Sequence, residues 1–389
     1  VSLARRSLLY LFLIEFLLLG ISFNIFGPLI PVIAGHYSVN LITVGFNLSL
    51  HAVALLATSL AIGRINQRTG SRNIILAGMV LEVISFIGIY FSSHFFLFII
   101  FYFLFGVGMA SVIISVSSLT CDIIPAQKSR NLTILNIAIS AGIFMGPLLV
   151  SGFLRTGTGW LYLFLIIGLL KIPILAVLYL ISRTGVPVPA KRAVSVRGSM
   201  DIYKALFKNR FILTCIAIVF LHQGFFSSFM SWFTVYFQQY GVQVAQSSIY
   251  LSFFNIAIIA GLIVKTFLLK NIDEKKLMMA GYAMGFMSLI GFYFVDILTI
   301  KVALAVLFGL SVPGFFMLSL SLAVGHFKDN TGTVSSTIFS FGYLGMVFYQ
   351  FFSGYISETY SPDLLFVVIT VSSLVLVGLV TALNVGFRD

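Results

Sequence analysis

Charge is what this chain has least of. Asp, Glu, Lys and Arg make up 9% of its 389 residues, where a soluble domain carries about 25%. A surface so poor in charge could not stay hydrated, and a soluble globular protein is excluded. Cysteine occurs twice, at Cys121 and Cys215, and no metal-ligand spacing is present. There is no zinc signature, no catalytic triad, and no cluster of polar groups of the kind an integral enzyme needs at one membrane face. No phosphate loop of the form G-x-x-x-x-G-K-S/T occurs, so ATP is not the expected energy source. These absences predict a protein that is not an enzyme and holds no cofactor.

Apolar sequence fills the space. Hydrophobic residues reach 60%, with 41 Phe, so the solvent for most side chains is lipid. A helix needs about 20 apolar residues to cross the hydrocarbon core. Twelve such stretches are found near residues 8–32, 40–62, 73–92, 95–119, 131–153, 160–182, 211–237, 246–269, 277–297, 300–324, 333–357 and 363–386. The runs are continuous rather than alternating, which favours helices over a transmembrane barrel. The first run is too long for a cleaved signal peptide, lacks a small-residue cleavage site, and has eleven like it downstream.

The net charge of +12 does not predict nucleic acid, because its placement is one-sided. Connections on one face hold Arg5, Arg6, Arg64, Arg68, Arg72, Lys128, Arg130, the basic residues between Arg183 and Arg210, Lys265, Lys270, Lys275, Lys276, Lys328 and Arg388. The other face holds Arg155 and Lys301. Such asymmetry orients membrane proteins with the basic side inward. It predicts a bacterial-type inner membrane, cytoplasmic termini, and contacts with anionic lipid headgroups. Both cysteines then lie near cytoplasmic helix ends, where a structural disulfide is not expected.

The longest polar interruption is "RTGVPVPAKRAVSVRGSMDIYKALFKNR", residues 183–210, with six spans on either side. The plan is an N-terminal six-helix bundle over 1–182, a cytoplasmic linker over 183–210 and a C-terminal six-helix bundle over 211–389. The end of the linker, "SMDIYKALFKNR", reads either as an amphipathic helix on the membrane surface or as plain flexible chain.

The connection "GRINQRTGSRN" (63–73) resembles the loop between the second and third helices of the major facilitator superfamily, G-x-L-x-D-R-x-G-R-R. Gly63, Ile65, Arg68, Gly70 and Arg72 fit; Gln67 stands where the family has Asp, and Ser71 where it has a base. "CDIIPAQKSRN" (121–131) is similar to the family's stretch after helix 4 through Asp122, Pro125 and Arg130. "GIFMGPLLVSG" (142–152) resembles the fifth-helix motif of proton-driven drug antiporters through Gly142, Gly146 and Pro147. A second, fainter likeness is to fucose-type sugar/proton symporters, whose helix 7 carries a Trp where Trp232 stands. Their acidic positions in helices 1 and 4 correspond here to Gly27 and Ser111, which are not acidic.

The resemblance implies an all-α fold of twelve transmembrane helices in two six-helix halves. Spans 1, 4, 7 and 10 would line a central cavity, and the loop residues Gly63, Gln67, Arg68, Gly70, Arg72, Asp122 and Arg130 would act in gating. Small residues at Gly142 and Gly146 permit close helix approach, and the bond that Pro147 cannot make must be replaced by a neighbour.

Ionisable residues inside spans then stand out. A charge near the bilayer centre costs roughly 2.5–3.5 kcal/mol on insertion scales. Glu15 in the first span is read as a proton-coupling residue, with snorkelling to the interface as the alternative. His222 in the seventh span is a second coupling candidate or a packed polar residue. Glu82 and Lys171 fall mid-span in the third and sixth helices and are expected to pair structurally, with a proton path through Glu82 as the alternative. Asn24, Ser111, Ser115, Gln223, Ser227, Ser231, Trp232, Tyr343 and Gln350 are the candidate substrate contacts. Tyr236 and Trp160 read as interfacial aromatics.

The cavity spans are rich in Phe, Met and Ile and poor in Asn, Asp and Arg. That suits an amphipathic solute better than a sugar, since each unpaired buried hydroxyl costs about 1–3 kcal/mol. The sequence thus predicts a monomeric secondary transporter that exports an amphipathic small organic molecule against protons, with the proton gradient as energy source. Proton-coupled uptake of a sugar or other small metabolite is the alternative.

Overall fold

A computed structural model describes residues 3–123, 128–183, 200–312, 314–327 and 331–386. Within these ranges the side chains of 3–7, 63, 64, 67, 68, 121–123, 128, 129, 182, 183, 200–203, 331, 332, 385 and 386 lie outside the described residues. Its elements are α1 (Leu3–Asn24), α2 (Phe26–Tyr37), α3 (Leu41–Thr69), α4 (Ser71–Tyr90), α5 (Phe95–Ile123), α6 (Lys128–Arg155) and α7 (Leu161–Arg183). They continue as α8 (Met200–Lys208), α9 (Arg210–Gln238), α10 (Val244–Leu268), α11 (Glu274–Phe294), α12 (Leu298–Ser311), α13 (Phe315–His326), α14 (Thr331–Thr359) and α15 (Pro362–Gly386).

Among the described residues, ten stretches are long and apolar enough to cross a membrane, and eleven if the bent α1–α2 pair counts as one. The 46° bend of that pair follows from Pro28, whose ring cannot accommodate a helical bond to the carbonyl of Asn24 four residues earlier. α12 and α13 together form one stretch, Leu298–His326, broken at Gly314, whose φ of 85° favours glycine. α14 is the eleventh of the twelve runs expected from the sequence, and completes the count. Ser335, Ser336, Ser340, Gly342, Gly345, Gln350 and Ser353 keep it outside the set of stretches apolar enough to cross.

Helix starts carry local signals. Asn209 accepts from the Phe211 and Ile212 N–H groups at the head of α9, and Asp273 from those of Lys275 and Lys276 at the head of α11. Both occupy donors that a helix leaves unpaired. Gly70, with φ at 82°, makes the turn into α4.

The chain divides into two compact units. One takes in Val1–Val39, Leu50–Val194 and Gln243–Ile249; the other Asn40–Ser49, Ser195–Val242 and Tyr250–Asp389. Each repeats the same internal pairing. In the first, α1 packs on α6, and α4 on α5 and α7; in the second, α9 packs on α14, and α11 on α12 and α15. Aromatic rings fill both cores. Phe26 lies 4.0 Å from Tyr102, 5.2 Å from Phe164 and 5.8 Å from Phe105 between ring centres. In the other unit Phe229 meets Phe254 at 4.9 Å and Phe308 at 4.8 Å. In lipid, dispersion between such surfaces takes over the role that water exclusion plays in soluble cores.

Candidate functional site

In the first unit, α1, α4 and α7 bring three ionisable side chains to one point. Lys171 Nζ lies 2.6 Å from Glu15 Oε1 and 2.5 Å from Glu82 Oε2. Glu15 is 1% exposed, Glu82 and Lys171 0%. Glycines make the room. A Cβ at Gly108 of α5 would stand 2.8 Å from Glu82 Cγ. One at Gly168, a turn before Lys171, would stand 3.1 Å from Phe86 Cβ on α4. The second oxygen of each carboxylate, Glu15 Oε2 and Glu82 Oε1, is buried with no hydrogen-bond partner. The sequence reading separates Glu15 from the Glu82–Lys171 pair. The structure gathers all three.

α1 reaches this position by near backbone contact with α6. A Cβ at Gly142 would overlap the Leu17 carbonyl, and one at Gly20 the Ile139 carbonyl. Gly146 faces Ile21 and Asn24. The Asn24 amide donates to the Ile143 carbonyl at 2.7 Å. Ile143 is four residues before Pro147, so Asn24 makes good the bond that proline cannot form. Asn24, a candidate substrate contact by sequence, is engaged in the helix pairing that the fifth-helix motif requires.

In the second unit, α9 and α14 carry a polar network. Trp232 Nε1 donates to Gln350 Oε1 at 3.0 Å, and Gln350 Nε2 to Ser231 Oγ at 3.0 Å. Three of the candidate substrate contacts thus come together. One turn away, Ser228 shares a hydrogen bond with Ser353. His222 is buried, with Nδ1 3.0 Å from the Tyr282 hydroxyl and its ring stacked on Phe226.

The remaining candidates are dispersed. Ser111 and Ser227 donate within their own helices, to Val107 and Gly224. Ser115 donates to Asn66 Oδ1 at 3.2 Å. Gln223 lies against Gly342, and Tyr343 is half-buried. In the gating stretch, Gly70 and Arg72 stand at the start of α4 and Arg130 is exposed. Gly63 falls within α3, and the side chains of Gln67, Arg68 and Asp122 lie outside the described residues.

Two sequence readings are corrected. Lys265 and Lys301, counted with the loop cations, are 8% and 0% exposed. Lys301 Nζ donates to Tyr236 at 2.8 Å, Tyr240 at 3.2 Å and the Phe292 carbonyl at 3.0 Å. Lys265 donates to the Ser311 carbonyl at the end of α12 and lies 4.0 Å from the Phe315 ring centre. A flexible stem lets each ammonium fold back onto acceptors. Tyr236, at the end of α9, is 1% exposed, with Lys301 on its hydroxyl; Trp160, just before α7, is 8% exposed, packed against His36 and Phe164. The signal available for both lysines was their position inside apolar runs.

Two bundles built on the same pairing, with broken spans and a buried charge cluster, define a membrane transporter of the twelve-helix class. The Major Facilitator Superfamily model matches residues 12–350, and the chain belongs to that family. It is therefore a secondary transporter of the alternating-access kind. It is 27% identical over 135 residues to the uncharacterized MFS-type transporter YhjO of Bacillus subtilis (strain 168). That match covers 32% of this chain and spans about a third of the relative's length (34%). Among solved structures, the fold resembles the nucleoside transporter NupG (D323A mutant), with a TM-score of 0.80 and 14% identity over 98% of this chain and 99% of that one. A bacterial homolog of the human lysosomal transporter Spinster, inward-facing and unoccupied, gives 0.77 and 14% over 99% and 96%.

Proposed function

We propose that this protein exports an amphipathic small organic molecule across a bacterial-type inner membrane in exchange for protons, with cytoplasmic termini and as a monomer. One observation carries the coupling. Glu15 is buried in a membrane-spanning helix with one carboxylate oxygen on Lys171 and the other without a partner. A carboxylate kept in that setting is a functional group by default, since lipid-facing charge is costly and structure alone does not need it. The preference for an amphipathic solute rests on cavity spans dominated by Phe, Met and Ile, surfaces that accommodate varied apolar shapes.

A second reading is proton-coupled uptake of a sugar or other small metabolite. The hydrogen-bonded set of Trp232, Gln350 and Ser231 favours it, and a nucleoside transporter shares the fold.

The test is flux in proteoliposomes under an imposed pH gradient. Tetraphenylphosphonium serves as the lipophilic cation, with labelled sugars and nucleosides as polar probes. The expected result is proton-linked tetraphenylphosphonium efflux that Glu15→Gln abolishes. Uptake of a polar probe with no efflux of the cation would replace the first reading by the second.

A further inference from the structure

We infer that Glu15, Lys171 and Glu82 together form one proton-binding site, in which a single exchangeable proton is shared by the two carboxyls and Lys171 stays a fixed cation. This rests on the reading of Glu15 as a proton-binding residue and extends it to Glu82, for which the sequence favours a structural pair over a proton path.

Charge bookkeeping separates a proton site from a structural bridge. A structural ion pair in lipid needs one acid and one base, and Glu82 with Lys171 already makes a neutral pair. Adding Glu15 leaves one negative charge too many when all three are ionised. Two oxygens, Glu15 Oε2 and Glu82 Oε1, are also left buried without a donor. Both carboxylates bind the same nitrogen, so their bonded oxygens lie no more than about 5 Å apart, a spacing at which like charges strongly oppose double ionisation. One proton corrects both deficits. It forms an O–H bond on either carboxyl, brings the cluster to neutrality, and gives an orphan oxygen a donor to offer or accept. Release breaks that O–H bond, passes the proton to water, and returns the cluster to one negative charge.

Among the described residues, nothing else charged crowds the site. α6 carries no ionisable residue between Arg130 and Arg155. α5 offers the Gly108 backbone and Tyr102, whose carbonyl is taken by His51 of α3 at 3.1 Å. On α7 the other ionisable groups are Tyr162, Tyr179 and Arg183, on α4 Arg72 and Tyr90, on α1 Arg5, Arg6 and Tyr10, and on α2 His36 and Tyr37. All but Tyr179 stand toward the helix ends, and Tyr179 is exposed.

The experiment is infrared difference spectroscopy of the purified, membrane-reconstituted protein between acid and alkaline pH. It reads the C=O stretch of a buried carboxylic acid and needs no substrate. Wild type is expected to show one such band that titrates. Glu82→Gln leaves the neutral pair Glu15–Lys171 and should lose the band. Glu82→Gln combined with Lys171→Gln leaves Glu15 without its cation and should regain it, together with pH-driven flux of tetraphenylphosphonium. A band that persists in Glu82→Gln, or fails to return in the double variant while gel filtration shows folded protein, overturns the shared site. A wild type without the band overturns it too. A titrating band without proton-linked flux in wild type would sink the proposed transport function and leave the shared proton standing.

Discussion

Replacing Lys171 by methionine is the severest single test of the buried cluster. Methionine keeps most of the volume and removes the ammonium that holds Glu15 Oε1 at 2.6 Å and Glu82 Oε2 at 2.5 Å. Both carboxylates stay behind, fully enclosed. Removing one partner from a buried ion pair costs about 3–5 kcal/mol, because the remaining charge is uncompensated. That is about two to three and a half powers of ten in the folding equilibrium. Glu82→Gln should cost less. It gives up one charge-assisted hydrogen bond, about 1.5–3 kcal/mol, and removes the surplus charge at the same time. The variant carrying Glu15→Gln, Glu82→Gln and Lys171→Met should return to within about 1–2 kcal/mol of wild type, as neutral replacements of buried ionic clusters do. Thermal melting of the detergent-solubilised protein, followed by tryptophan fluorescence and gel filtration, reads the order. Lys171→Met melting with wild type, or Glu82→Gln falling as far as Lys171→Met, would refute the reasoning.

Two further outcomes are expected. Gly142→Leu drives a branched side chain into the Leu17 carbonyl of α1; overpacking costs about 1–3 kcal/mol where neighbours can give, and backbone gives least, so the monomer peak on gel filtration should shrink sharply while Gly152→Leu, at a position with open space, leaves it unchanged. Gln350→Leu strips the acceptor from the buried Trp232 indole, which should lower the melting temperature by the equivalent of about 1–3 kcal/mol and shift the Trp232 emission, measured against a Trp160→Phe background.

Much of the fold is written in composition. Twelve apolar runs and the basic stretches between them are visible because lipid demands long apolar helices. The breaks are written too, in Pro28 and in the glycine at 314, but only the backbone shows that they split spans into α1–α2 and α12–α13. The candidate site was half legible. Glu15, Glu82 and Lys171 stand out as charges in apolar sequence, yet pairing them requires knowing which helix faces meet. Residues 67 and 156 positions from Glu15 along the chain cannot be joined by periodicity alone. Counting would have helped: two acids and one base at mid-span depth in one half leave an acid over. Asn24 was hidden for a different reason. Its role depends on Pro147, a residue on another helix, and an amide in a span reads equally well as a solute contact.

The separation of Glu15 from Lys171 bears on how the protein is made. The two lie 156 residues apart. At about 5–20 residues per second of synthesis, roughly ten to thirty seconds pass before the ribosome delivers the lysine. For that interval the opening helix has its carboxyl and no cation to match it. The nascent chain must therefore be held at the insertion machinery, or carry that group in its acid form, until the sixth span arrives and completes the first.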